Sequence, residues 1–197
     1  MQLRYVTDLS IEEYIQTRAW ERVQLDSCPF HPTGECRISR HGYYLRKFPL
    51  VAKIPRWRCS KASKTVSLLP DFFAARLPGT LDEVEQAVNV ANDACSLETA
   101  AALLRPEISL PSGLRWLRRR ISHVHLVLTT VAGLLLPGTP PELGSFRQAL
   151  GTGKVLVRLR EKAAAHLRSL PPILGFGPRR QSRWNAKMHC PQAMGPD

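Results

Sequence analysis

Four side chains with the chemistry of soft-metal ligands lie in the first third of the chain: Cys28 and His31 in a Cys-Pro-Phe-His run, then Cys36, then Cys59. Zinc takes four thiolate or imidazole ligands in a tetrahedron, and a Cys-x-x-His turn aims two of them at one ion while distant residues supply the rest. The stretch ending in Arg-Trp-Arg-Cys59 reads as half of a knuckle, because Ala62 stands where a second cysteine would close Cys-x-x-Cys. Cys36 is the thiolate expected to replace it, with His41 as the weaker substitute. The expected cofactor is therefore a structural zinc on Cys28, His31, Cys36 and Cys59. A site closed by four protein ligands leaves no open position for water, so no catalytic residue is expected there. The alternative is a degenerate site whose cysteines are buried thiols. Glu35, beside Cys36, reads as a surface residue.

The second chemistry is cationic. Nine basic residues and no acidic ones fall between positions 37 and 64: Arg37, Arg40, Arg46, Lys47, Lys53, Arg56, Arg58, Lys61 and Lys64. Arg115, Arg118, Arg119 and Arg120 form another cluster around Trp116, whereas carboxylates gather at Asp82, Glu83, Glu85, Asp93 and Glu98. With 28 Lys+Arg against 16 Asp+Glu, the formal charge is +12 over 197 residues. Such a balance attracts phosphate backbones, and double-stranded DNA is the expected partner. A plain solvated basic face is the alternative.

Other candidate motifs dissolve on inspection. His123 and His125 are two apart on a helix and diverge. Gly151-Thr-Gly-Lys154 lacks the spacing of a phosphate loop. No trio of spaced carboxylates for two-metal cleavage is evident, since Asp82, Glu83 and Glu85 suit a helix start. His189-Cys190 would make a ligand pair only if the tail folded back. The start of the chain has no apolar signal core, and Val124 to Leu136 is too short to span a bilayer, so a cytoplasmic protein without membrane contact is expected. Five cysteines, an odd number, fit ligands or buried thiols in a reducing compartment.

The elements that must position these groups follow from caps and breaks. Ser10, with Glu12 and Glu13 after it, opens an amphipathic helix in residues 10–25. Residues 26–72 mix the ligands with Tyr43, Tyr44, Phe48, Ile54 and Trp57, a composition of short strands stapled by metal. Thr80 and Glu83 form a capping box after Pro78-Gly79. Ser96 caps a shorter helix ended by Pro106, and a third runs from Leu110-Pro111 through the arginines into the apolar stretch. A short helix, a turn and a basic helix make a helix-turn-helix pattern, in which Ser109, Ser112, Arg115 and Arg119 lie near a DNA groove and Arg118 and Trp116 flank it. Leu114, Leu117 and Ile121 would pack inward. Beyond Pro137 to Pro141 come a short helix to Leu150 and another over 154–170, stopped by Pro171-Pro172.

The region from Cys28 to Phe72 resembles the zinc ribbon found with bacterial insertion-sequence transposases, in which a Cys-Pro-x-Cys and a Cys-x-x-Cys knuckle hold zinc. The matching residues are Cys28, Pro29, His31, His41-Gly42, Arg46, Ile54 to Cys59, Lys64-Thr65 and Leu68-Leu69-Pro70-Asp71-Phe72, the last being the exit of an uncharacterised, transposon-associated branch. The likeness covers about residues 26–90, with a weaker helix-turn-helix likeness to about 121. His31 and Ala62 depart from the pattern. The resemblance implies a DNA-binding protein of a mobile element.

Together these features predict an α+β chain: an N-terminal helix (1–25), a zinc-ribbon-like module (26–72), a helix-turn-helix domain (78–136), C-terminal helices (140–174) and a flexible basic tail (175–197). The expected function is non-catalytic DNA binding in transposition, as accessory, remnant or regulator. An interaction module docking a transposase or recombinase is the alternative, and a metal-dependent nuclease the third.

Overall fold

The computed structural model describes residues 1–34 and 36–177. Glu35 and most of the basic tail, including His189-Cys190, lie outside the described residues. The architecture is α+β, with a four-stranded sheet and six α-helices among the described residues. Strands β1 (Gln2–Tyr5), β2 (Ile38–Arg46), β3 (Ala52–Cys59) and β4 (Lys64–Pro70) lie in the order β1-β4-β3-β2. The β2-β3 and β3-β4 pairs are antiparallel, and β1 runs parallel to β4, with Gln2 opposite Ser67 and Tyr5 opposite Pro70.

Strand β1 was not anticipated. It is fastened by the Arg4 guanidinium, which donates from Nε and Nη2 to the two carboxylate oxygens of Asp71 at 2.7 and 2.9 Å. The helix expected over 10–25 is shorter: α1 spans Ile11–Gln16, and Arg18 adopts a left-handed φ of 49° before a 3-10 turn at Ala19–Glu21. That break lets Trp20 turn back onto Tyr14, their ring centres 5.8 Å apart. The cap itself is as expected, with Ser10 and Glu13 in a reciprocal capping box.

Helices α2 (Leu81–Asp93), α3 (Leu97–Leu104), α4 (Leu110–Leu135), α5 (Leu143–Leu150) and α6 (Val155–Lys162) follow the sheet. Thr80 and Glu83 form the capping box of α2 and Ser96 caps α3. Glu85 has a different role from the macrodipole partner expected of it. It is buried, and its carboxylate accepts from the backbone N–H groups of Val155 and Leu156 at 3.2 and 3.0 Å, so α2 caps the N-terminus of α6. The final helix is also shorter than the expected 154–170: after a 3-10 turn at Ala164–His166 the chain doubles back, and the Phe176 N–H donates to Leu167 O at 2.6 Å. Gly175 is required in that return, because a Cβ there would stand 1.9 Å from Leu170 O.

One large apolar cluster joins segments expected to be separate units. Ile11 and Tyr14 of α1, Ile54 and Leu69 of the sheet, Leu81 and Val84 of α2, Val127 and Val131 of α4, Phe146 of α5 and Leu159 of α6 all belong to it. The sheet is thus supported by a core as well as by its ligand cluster. At its centre the Arg160 guanidinium, 1% exposed, donates to the carbonyls of Asp71, Phe73 and Ile173. A second cluster, including Ala87, Ala100, Ala101 and Leu117, packs α2, α3 and α4 together, with Gly113 of α4 against Ala101 of α3. No described helix is long and apolar enough to cross a membrane.

Candidate metal centre and basic surfaces

The four sequence-predicted ligands converge. Cys59 ends β3, Cys36 lies two residues before β2, and Cys28 and His31 sit in the preceding turn, so register alone brings the strand ends together: Ile38 is opposite Cys59. The turn is closed by the His31 N–H donating to Cys28 O at 3.1 Å. One ligand atom from each of the four residues lies within 4.8 Å of every other. His31 Nδ1 is 3.7 Å from Cys28 Sγ and 3.4 Å from Cys59 Sγ, and Cys36 Sγ is 3.6 Å from Cys59 Sγ. Ligands at zinc distances form a tetrahedron with edges of about 3.5–3.8 Å. The donor set and its spacing therefore fit a tetrahedral metal ion. His41 is not in the cluster; it lies exposed on β2 at the irregularity between Arg40 and Tyr43, where Gly42 takes a φ of 73°.

The position of Ala62 has its own logic. Its backbone N–H donates to Cys59 Sγ at 3.3 Å, so the β3-β4 turn still wraps the sulfur as a knuckle does, with Ser63 left-handed at φ 50°. All four described cysteines are free. Burial acts against ionisation of Cys28, but bonds from the Phe30 and His31 N–H groups and from the His31 and Cys36 side chains outweigh it and hold the thiol down at about 6. Burial and the neighbouring Cys28 and Cys59 push Cys36 up to about 12. The surroundings of Cys28 thus favour its thiolate, the form in which a cysteine ligates a metal cation.

The basic residues separate into two kinds. Arg37, Lys47, Arg58, Lys61 and Lys64 are exposed. Arg40 is also exposed but is anchored, donating to the carbonyls of Glu21 and Trp20 and lying 5.7 Å above the Trp57 ring. Lys53 stands 4.4 Å from the Tyr43 ring centre and 5.5 Å from that of Trp20. Arg56 is half-buried and donates to Thr65 Oγ1 at 3.2 Å. Arg46 departs from its expected surface role: it turns inward over the Phe73 ring at 4.9 Å and donates to Ala74 O and Leu77 O. Its alkyl stem and flat cation make it a core brace between the sheet and the α2 approach.

On α4, Arg115, Arg118 and Arg119 are exposed on one side, with Ser109 and Ser112 at its start, their hydroxyls 3.0 Å apart. Leu117 packs inward, with Leu114 and Ile121 beside it. Arg120 does not join the basic face. It is 2% exposed, stacks 3.7 Å from the Trp116 ring centre and donates to Pro78 O at 2.9 Å. Trp116, expected at a DNA flank, is held between Arg120 and Arg105, the latter also lying 5.6 Å from the Phe48 ring of the β2-β3 connection. This stack ties the helical cluster to the sheet.

Sequence reasoning missed Phe30, Arg76 and Arg168, which share a cleft beside β4 with Lys64. Arg76 carried no pattern signal, and Arg168 lay in a stretch read as continuous helix. No protein-family model, no curated protein and no solved structure matches the chain.

Proposed function

We propose that the chain is a non-catalytic DNA-binding protein of bacterial mobile-element type, acting as an accessory, remnant or regulator of a transposase. In this reading Cys28, His31, Cys36 and Cys59 hold one structural zinc that fixes the ends of β2 and β3, and α3-α4 act as a helix-turn-helix. The observation that carries it is the exposed row Arg115, Arg118 and Arg119 on the N-terminal half of α4, after the short α3 and its turn. Arginine on such a helix can bond bidentately to guanine in the major groove, and Ser109 and Ser112 at its start suit phosphate contacts. Arg37, Arg58, Lys61 and Lys64 beside the metal centre would add sequence-independent phosphate neutralisation.

Duplex binding measured by fluorescence anisotropy over a salt series tests this. The expected outcome is a log K that falls steeply with log salt, and an Arg115→Ala/Arg119→Ala variant with weaker binding and a flattened sequence preference. Duplex affinity unchanged in that variant would refute the role of α4. A salt-independent association with a protein partner would favour docking instead, for which Leu126 and Leu134, each 49% exposed on the distal half of α4, are the available anchors.

A further inference from the structure

Beside β4, where the sheet faces the segment after α6, lies a cleft of about 790 Å³. Its charged side chains are all cationic: Lys64, Arg76 and Arg168 line it together with the hydroxyls of Thr65 and Ser67 and the ring of Phe30. Another cleft, of about 1000 Å³, mixes seven carboxylates, among them Asp8, Glu12 and Asp71, with Arg4, Lys154 and Arg160. The cleft beside β4, with no carboxylate among its described lining residues, suits an anion.

Its construction points the same way. Arg76 has a left-handed φ of 62°, a conformation rare outside glycine, and strain of this kind is kept where surrounding structure enforces it. Here it is enforced by the Ala75-Ile173 bridge, with N–H to O distances of 3.0 and 2.9 Å, and by Arg160, which holds the carbonyls of Phe73 and Ile173. Phe30 belongs to the Cys28-His31 turn, and Lys64 Nζ stands 5.7 Å from its ring centre. One wall of the cleft is therefore contributed by the turn that carries Cys28 and His31.

We propose that this cleft binds single-stranded nucleic acid, with phosphates against Lys64 and Arg168 and a base beside Phe30. A concave site of this volume admits one or two unstacked nucleotides but not the rod of a duplex. Cations along a groove with an aromatic ring are the recognition chemistry of single strands. The inference goes beyond duplex reading and uses no residue of α4.

The test is anisotropy with fluorescein-labelled oligothymidylate and with a labelled mixed-sequence duplex, using the full chain and three variants: Arg168→Glu, Lys64→Ser and Arg115→Ala/Arg119→Ala. Arg168 and Lys64 are exposed, and thermal melts check that their variants stay folded. Oligothymidylate affinity is expected to fall about tenfold or more in Arg168→Glu. In Lys64→Ser its log–log salt slope should drop by about 0.7, the loss of one phosphate contact on a single strand. Duplex affinity should change by less than about twofold in Arg168→Glu, whose residue has no part in the duplex reading, and the α4 variant should show the reverse pattern. The proposal is overturned if the unaltered chain does not bind oligothymidylate at low salt, if both cleft variants bind it normally, or if Arg168→Glu loses both probes equally. Loss of oligothymidylate binding in the cleft variants with no duplex binding by any form would uphold the cleft and refute the α4 reading.

Discussion

Cys36 Sγ stands 3.6 Å from Cys59 Sγ, the edge length of a zinc tetrahedron and well beyond a disulfide bond. The loop before β2 thereby supplies the corner that the β3-β4 turn lacks at Ala62. Native mass spectrometry is expected to show one zinc per chain, removed by a chelator. Cys36→Ala should lose it. Because the Ala62 N–H already wraps Cys59 Sγ at 3.3 Å, Ala62→Cys in the Cys36→Ala background is expected to restore binding. Full zinc occupancy in Cys36→Ala alone would exclude Cys36 as a ligand.

Metal removal should loosen one end of the sheet and spare the rest. Ile54 and Leu69 are fully buried in the main apolar cluster, and Trp57 and Leu68 pack with Val23 in another. Each such side chain contributes about 1.5–3 kcal/mol by burial without help from a metal. Hydrogen exchange on the chelated protein is expected to lose protection around residues 28–37 and 59–64 while 52–57 and 66–70 stay protected. Cooperative loss of the whole sheet on chelation would contradict this division.

The ligand set was legible because residue type and spacing carry it: Cys-x-x-His and two further cysteines leave few ways to complete a tetrahedron. Helix starts at Ser10, Thr80 and Ser96 were legible for a similarly local reason, since a cap is satisfied within three residues. What was not legible depends on partners far along the chain. Strand β1 pairs with β4, more than 60 residues later, and is fastened there by Arg4 on Asp71, 67 residues away. Glu85 caps a helix that begins 70 residues later. The inward turns of Arg46, Arg120 and Arg160 are invisible in a count of charges, because backbone carbonyls and aromatic rings, and not carboxylates, receive them. Treating every arginine as surface charge therefore overstated the basic faces.

Arg160 shows what such an inward turn is worth. Burial pushes its guanidinium down to about 9, yet it bonds three carbonyls that have approached each other around it. Removing one partner from a buried charged network costs about 3–5 kcal/mol, because the remaining groups lose their donors. Arg160→Met, which keeps the apolar stem, is expected to destabilise the fold by at least about 3 kcal/mol in denaturant titration. Arg160→Lys should not rescue it, since one ammonium lacks the planar fork that serves three acceptors. A loss below about 1 kcal/mol in Arg160→Met would mean the carbonyls find other donors.

His123 couples the basic face of α4 to pH. It is half-buried, and its pKa is lowered from the ordinary 6.5, first by burial and then by Arg119 and Arg120. Above pH 6.5 neither folded nor unfolded chain protonates it, so it has no effect on stability. As pH falls through 6.5 the unfolded chain takes up a proton that the folded chain resists, and stability declines until the lowered folded value is passed. A phosphate backbone bound at α4, as proposed, would reverse the balance by supplying the missing counter-charge beside Arg119. Duplex affinity is therefore expected to rise between pH 7.5 and 5.5 while the melting temperature of the free protein falls. His123→Gln should flatten both trends by the share owed to this residue. Equal pH slopes in His123→Gln and the unaltered chain would assign the effect elsewhere.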